Sequence, residues 1–247
     1  MLEIFDSHTH PTLTNTWLNE RFDGLCDVNY LVADMRENAI SKACAVGMEG
    51  VGGYKHDLYI EMLKPYPQLV PVAYYDPPSG PGQLEYIKKL GFQGIKIHPR
   101  LSAISPTDRS IFDAIKEANS LGLAVFYCGF TGVTETFLKY IGDEKLVFLH
   151  SGGHSFLPTI NLLKDKKNLL LDLSYTLCRM PDQIYHIEKI LHSNPDIFCI
   201  GSDHPEVSLS ELRKVFDEIA ACLPYEDAAR IAYQNLENFF LSMGKTK

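Results

Sequence analysis

The sequence has no Cys-x-x-Cys pair: its six cysteines, Cys26, Cys44, Cys128, Cys178, Cys199 and Cys222, are scattered along 247 residues. That spacing excludes the dense disulfide framework of small secreted domains, and the thiols are expected to be reduced and mostly in the core. No stretch approaches the ~18 apolar residues of a membrane span, and the first residues lack the charged and then apolar pattern of a signal peptide. A cytoplasmic protein with no membrane partner is the expectation. Basic residues are in deficit, 23 Lys and Arg against 31 Asp and Glu for a formal charge of -8. A nucleic-acid partner, which needs clustered positive charge, is not expected, and a small-molecule substrate is. No linker rich in Ser, Gly or Pro divides the chain, so residues 1–247 are read as one domain.

What the sequence does have is alternation. Short apolar, β-rich segments at residues 2–6, 42–48, 69–75, 94–98, 123–128, 146–150, 169–173 and 197–201 are each followed by sequence with helical spacing. Continuous apolar runs suit parallel strands covered on both faces. Amphipathic stretches at 28–40, 110–120, 134–141, 181–191 and 209–221 read as outer helices, and a final helix at 226–241 as a cover for the barrel. Gly91 and Gly122 stand where helices should end, Thr107 or Asp108 where one should begin, and residues 76–82 where a loop should follow strand three. Eight regular units, without a glycine-rich fingerprint after the first strand, favour a closed α/β architecture, the (β/α)8 or TIM barrel, over an open doubly wound sheet.

In such a barrel the reactive groups sit at the carboxyl ends of the strands. Strand one ends Asp-Ser-His-Thr-His-Pro, strand four Lys-Ile-His-Pro, strand six Leu-His-Ser-Gly-Gly and strand eight Gly-Ser-Asp-His-Pro. His8 and His10 are two residues apart, so an extended backbone sends both imidazoles to one face and toward one ion. Asp203 follows an apolar run, a costly place for a carboxylate unless it holds a cation or caps the next helix. His150 precedes two glycines that let a ligand approach, and its alternative is a core imidazole bonded to a carbonyl.

The ordered set of His8 and His10, Lys96 and His98 in GIKIHP, His150 in LHSGG, Asp203 in GSDHP and the closing YQNLENFF resembles the amidohydrolase superfamily. Within it, the chain is most similar to the branch of aminocarboxymuconate semialdehyde decarboxylase and the lactone-type hydrolases. The resemblance implies a metallo-dependent barrel holding one divalent ion, zinc or alternatively manganese. His8, His10 and Asp203 are then its ligands, and His150 a ligand or proton-transfer group. It implies hydrolysis of an ester, lactone or amide by an activated water, with Asp203 moving the proton and His150 or His98 stabilising the oxyanion. Non-oxidative decarboxylation of an unsaturated or aromatic acid is the alternative reaction.

The sequence departs from this pattern at strand five, where the family carries His and this chain reads Phe-Tyr-Cys-Gly. The equivalent position is Cys128, a possible thiolate ligand, or Tyr127 after a one-residue slip. Loss of that ligand is also what a metal-free binding barrel would show. Lys96 is read as a positive charge for a substrate carboxylate or an oxyanion. Glu49, Tyr75, Arg100, His154, Arg179 and His204 are further loop candidates for substrate binding.

Overall fold

The computed structural model describes residues 2–77, 82–128, 135–166, 168–179 and 186–244. Eight parallel strands, β1 (Ile4–Thr9), β2 (Ile40–Val46), β3 (Leu69–Tyr75), β4 (Gly94–Ile97), β5 (Ala124–Cys128), β6 (Leu146–Leu149), β7 (Leu169–Asp172) and β8 (Phe198–Cys199), pair in chain order. The circle closes through backbone bonds from Ser7 N to Ile200 O at 2.9 Å, Asp203 N to His8 O at 2.8 Å and His10 N to His204 O at 2.9 Å. The fold is a (β/α)8 barrel, as the alternation predicts.

The helices are α1 (Val28–Glu37), α2 (His56–Leu63), α3 (Gln83–Leu90), α4 (Arg109–Ser120), α5 (Glu135–Tyr140), α6 (Phe156–Leu163), α7 (Thr176–Arg179), α8 (Ile187–Ser193), α9 (Leu209–Ala220), α10 (Tyr225–Ala229) and α11 (Asn235–Met243). Among the described residues no helix is long and apolar enough to cross a membrane. Asp108 begins α4 by accepting the Ser110 N–H at 2.9 Å, and Gly91 ends α3 at φ 102°, a conformation that glycine adopts without cost.

The period-two pattern of the strands sorts their side chains into two layers. Ile4, Ala43, Ile95, Val125, Tyr127, Phe148, Leu171 and Phe198 face the helices and belong to the larger core. Phe5, Cys44, Val46, Val70, Val72, Phe126, Val147, Leu149, Leu170 and Cys199 fill the barrel interior. Leu236, Phe239 and Met243 of α11 join that interior layer and seal it at the end where the strands begin.

Several expected boundaries shift. The stretch 28–40 is a helix only to Glu37, because the chain turns through Ala39 at φ 52° and β2 starts at Ile40 rather than at residue 42. The final helix is broken into α10, a π-helical turn at Arg230–Gln234 and α11. The expected segments 134–141 and 181–191 lie partly outside the described residues, as does the loop 76–82.

Candidate active site

β1 stays extended as far as Thr9, past the residue 6 expected from its apolar run, and this carries His8 to the barrel mouth. His8 and His10 are buried, with ring centroids 4.5 Å apart. Asp203 arrives from the loop after β8 at φ 66°, and its Oδ1 lies 3.3 Å from both His8 Nδ1 and His10 Nε2. It caps no helix, since the N-cap of α9 is Ser208. His8, His10 and Asp203 each present a ligand atom within 4.8 Å of the others.

Hydrogen-bond partners assign the tautomers. The carbonyl of Val46 accepts from His10 Nδ1 at 2.7 Å, which leaves the Nε2 lone pair directed inward. His98 is the opposite case: the Leu101 N–H donates to its Nδ1 at 3.3 Å, so the proton is on Nε2 and this ring acts as a donor. His150 places Nδ1 3.3 Å from the carbonyl of Ser174, putting its lone pair on Nε2. Burial, reinforced by the charge of Lys96, holds His8 and His10 well below the ordinary imidazole range. For His150 burial is again the main cause, lowering it to about 4, and for His98 burial and then Lys96 lower it to about 3. All four rings are neutral at pH 7.

His10 Nε2 and Asp203 Oδ1 are therefore two acceptors facing each other at 3.3 Å, a contact that needs a shared proton or a cation. Two ligands bound at about 2.0–2.1 Å to a tetrahedral ion stand about 3.3 Å apart, so the donor set and its spacing fit a divalent metal such as zinc. Burial raises the Asp203 carboxyl above the usual carboxylate range, and the nearby His150 and Lys96 oppose that rise.

A second group joins His8 and His150 to Asp172, which the sequence reading had not singled out. Asp172 is fully buried at the end of β7 and accepts from Ser7 Oγ at 2.5 Å, Ser174 N at 3.0 Å, His150 N at 3.2 Å and the Ser174 hydroxyl. Ser174 Oγ lies 3.3 Å from His8 Nδ1 and 3.2 Å from His150 Nδ1, so one hydroxyl connects both imidazoles to the carboxylate. The signal for Asp172 was present: like Asp203, it is a carboxylate ending an apolar run, Leu-Leu-Leu-Asp. Burial raises it to about 6. Trp17, also missed, lies against His10 with centroids 4.8 Å apart and donates from Nε1 to Glu206 at 2.8 Å.

Lys96 is on the inward face of β4, only 2% exposed, with Nζ 3.0 Å from His8 Nε2 and 3.5 Å from His10 Nε2. Strand five is resolved in favour of Cys128: Tyr127 points outward and donates its hydroxyl to Pro106 O at 3.1 Å. Cys128 is buried at the strand end but belongs to neither ligand group, and His150 falls in the group of Asp172 rather than that of Asp203. Of the loop candidates, Tyr75 is packed in the outer core, and Glu49 and Arg100 are exposed. Arg179 pairs with Glu211 and donates to Glu206 O, while His204 is buried with Nε2 2.9 Å from Leu25 O. The side chain of His154 lies outside the described residues.

No family model matches the sequence, and no curated protein sequence matches it. Solved structures do. An uncharacterised TIM-barrel protein from Bordetella bronchiseptica superposes with a TM-score of 0.83 at 16% identity, over 99% of this chain and 100% of that one. A probable 2-pyrone-4,6-dicarboxylic acid hydrolase from Acinetobacter baumannii, with citric acid bound, gives 0.72 at 15% identity over 97% and 99%. A 2,6-dihydroxybenzoate decarboxylase from Rhizobium gives 0.69 at 11% identity over 98% and 99%. At these identities the shared property is the fold, a (β/α)8 barrel carried on hydrolases and decarboxylases alike.

Proposed function

We propose that the chain is an enzyme of the amidohydrolase type that hydrolyses a small-molecule ester, lactone or amide, with one divalent ion, zinc by preference, held by His8, His10 and Asp203. The observation that carries this reading is the facing pair of acceptors, His10 Nε2 and Asp203 Oδ1, 3.3 Å apart beside the His8 ring. Likeness in fold to a probable 2-pyrone-4,6-dicarboxylic acid hydrolase agrees with it.

Such an ion would supply an acidified water and a polarised carbonyl. The other steps belong to the side chains. Asp203 accepts the proton of the attacking water at a carboxylate oxygen and returns it to the leaving group, a task suited to a carboxyl raised by burial. His98, fixed as the Nε2–H tautomer by the Leu101 amide, donates to the oxygen on which charge develops. Ser174 and Asp172 hold His8 and His150 in orientation. Trp17 covers one face of His10 and keeps water from it.

Metal analysis of protein purified without added metal, coupled to a panel of lactones, esters, amides and carboxylic acids, tests the reading. About one equivalent of zinc or manganese is expected, lost in His10→Ala, with turnover of one of the neutral substrate classes. Unchanged turnover and metal content in Asp203→Asn would overturn it. Release of carbon dioxide from an acid, with no hydrolysis, would assign the site to the decarboxylases instead.

A further inference from the structure

Lys96 contacts the nitrogen of His10 that faces Asp203, and on His8 the Nε2 that is left as the lone-pair nitrogen when Nδ1 is turned to Ser174 and Asp203. Gly94 and Lys96 occupy the inward positions of β4, while Ile95 and Ile97 lie in the outer core, so the strand sends the lysine into the barrel mouth. Its Nζ is 3.0 Å from His8 Nε2, 3.5 Å from His10 Nε2 and 3.9 Å from Met48 Sδ. Among the described residues no carboxylate oxygen comes within 4.0 Å of it to form an ion pair. The amine of this buried lysine is therefore hydrogen-bonded to the two imidazoles.

A neutral imidazole has one lone pair, and it cannot accept an ammonium hydrogen bond and bind an ion together. Two positive charges crowded into a buried notch also repel each other far more strongly than they would in water. We propose that Lys96 and a divalent ion are alternative occupants of the His8 and His10 nitrogens, so that the lysine is a built-in competitor: it completes the network without the ion and weakens the ion's hold. The proposal rests on the metal reading of the site. It also gives Lys96 a role that needs no substrate.

Zinc titration by calorimetry of the full chain, stripped with a chelator beforehand, tests this in the wild type and in Lys96→Met and Lys96→Gln. Circular dichroism and thermal unfolding report on the fold of each protein. Both variants remove the positive charge, one keeping an apolar chain of similar length and the other a polar head. Both are expected to bind zinc about tenfold more tightly than the wild type, or more. Equal or weaker binding in the folded variants, with zinc still bound by the wild type, overturns the competition and leaves the metal reading standing. No zinc binding by any of the three overturns the metal reading and the competition with it.

Discussion

The two ends of the barrel interior are built on the same strands and differ completely in chemistry. At the end sealed by α11 the inward positions are Phe5, Phe126, Leu170 and Cys199, packed with Leu236, Phe239 and Met243. One step of two residues toward the mouth, Phe5 gives way to Ser7, Gly94 to Lys96, Phe126 to Cys128, Leu170 to Asp172 and Cys199 to Gly201. That step is about 6–7 Å of strand. The lower layer is held by burial, and the upper by hydrogen bonds among groups that are costly to bury singly. Four of the positive-φ residues, His150, Ser151, Tyr175 and Asp203, lie at the mouth, while Ala39 adopts positive φ at the other end, in the turn into β2.

If the layers are independent, removing bulk from the lower one should cost stability and leave the site alone. Phe126 is fully buried, with its ring 6.1 Å from that of Phe240. Phe126→Ala is expected to lose about 3–5 kcal/mol in urea unfolding, while the folded fraction keeps its zinc affinity. A parallel fall in zinc affinity would show that the layers are coupled through β5. The reverse experiment adds bulk to the upper layer. A Cβ on Gly201 would lie 2.4 Å from Ser7 Oγ, 2.6 Å from Asp172 Oδ1 and 3.0 Å from Ser174 Cβ. Gly201→Ala should therefore cost about 1–3 kcal/mol, less than Phe126→Ala, and yet disturb metal binding more. Calorimetry and unfolding on the same samples compare the two.

How far the sequence discloses these layers depends on what each is made of. Apolar runs declare strands whatever their surroundings, and β3 lies at residues 69–75 as expected. β1 was expected to stop at Asp6 because polar residues follow, yet it runs to Thr9, since its backbone is paired with β2 and the β8 loop whatever its side chains are. The convergence of His8, His10 and Asp203 followed from their places at strand ends. Asp172 ends an apolar run as Asp203 does, so its place at the mouth was equally open to reading; its bonds to Ser7 and Ser174 were not, because a serine in the sequence carries no pattern that marks a buried hydroxyl partner. Nor could spacing choose between Tyr127 and Cys128, a matter of one residue of register.

Ser174→Ala sharpens the comparison further. Asp172 would keep Ser7 Oγ and two backbone donors, so the stability loss should be near that of one ordinary hydrogen bond, about 1 kcal/mol. His8 would lose the hydroxyl beside its Nδ1, and orienting partners of ligating imidazoles typically matter about 10–100-fold in metal affinity. A large effect on zinc with a small effect on unfolding is the expected signature of the upper layer. Equal and small effects on both would mean that Ser174 only fills space.

The smallest effect is expected at the rim. Arg179 pairs with Glu211 and donates to Glu206 O, and Glu206 in turn accepts from Trp17, whose ring lies against His10. The Arg179 and Glu211 side chains are about one-third exposed, so water screens the pair and Arg179→Ala should cost no more than about 0.5 kcal/mol. Zinc affinity should stay unchanged, because the arginine is linked to His10 through two intervening residues, the backbone carbonyl of Glu206 and then Trp17. Turnover of a carboxylate-bearing substrate then separates two roles for this residue. An unchanged KM confines Arg179 to tying α7 to α9. A rise in KM with kcat, stability and zinc affinity preserved would place it among the substrate contacts and extend the reactive surface of the upper layer past the buried cluster to the loops above it.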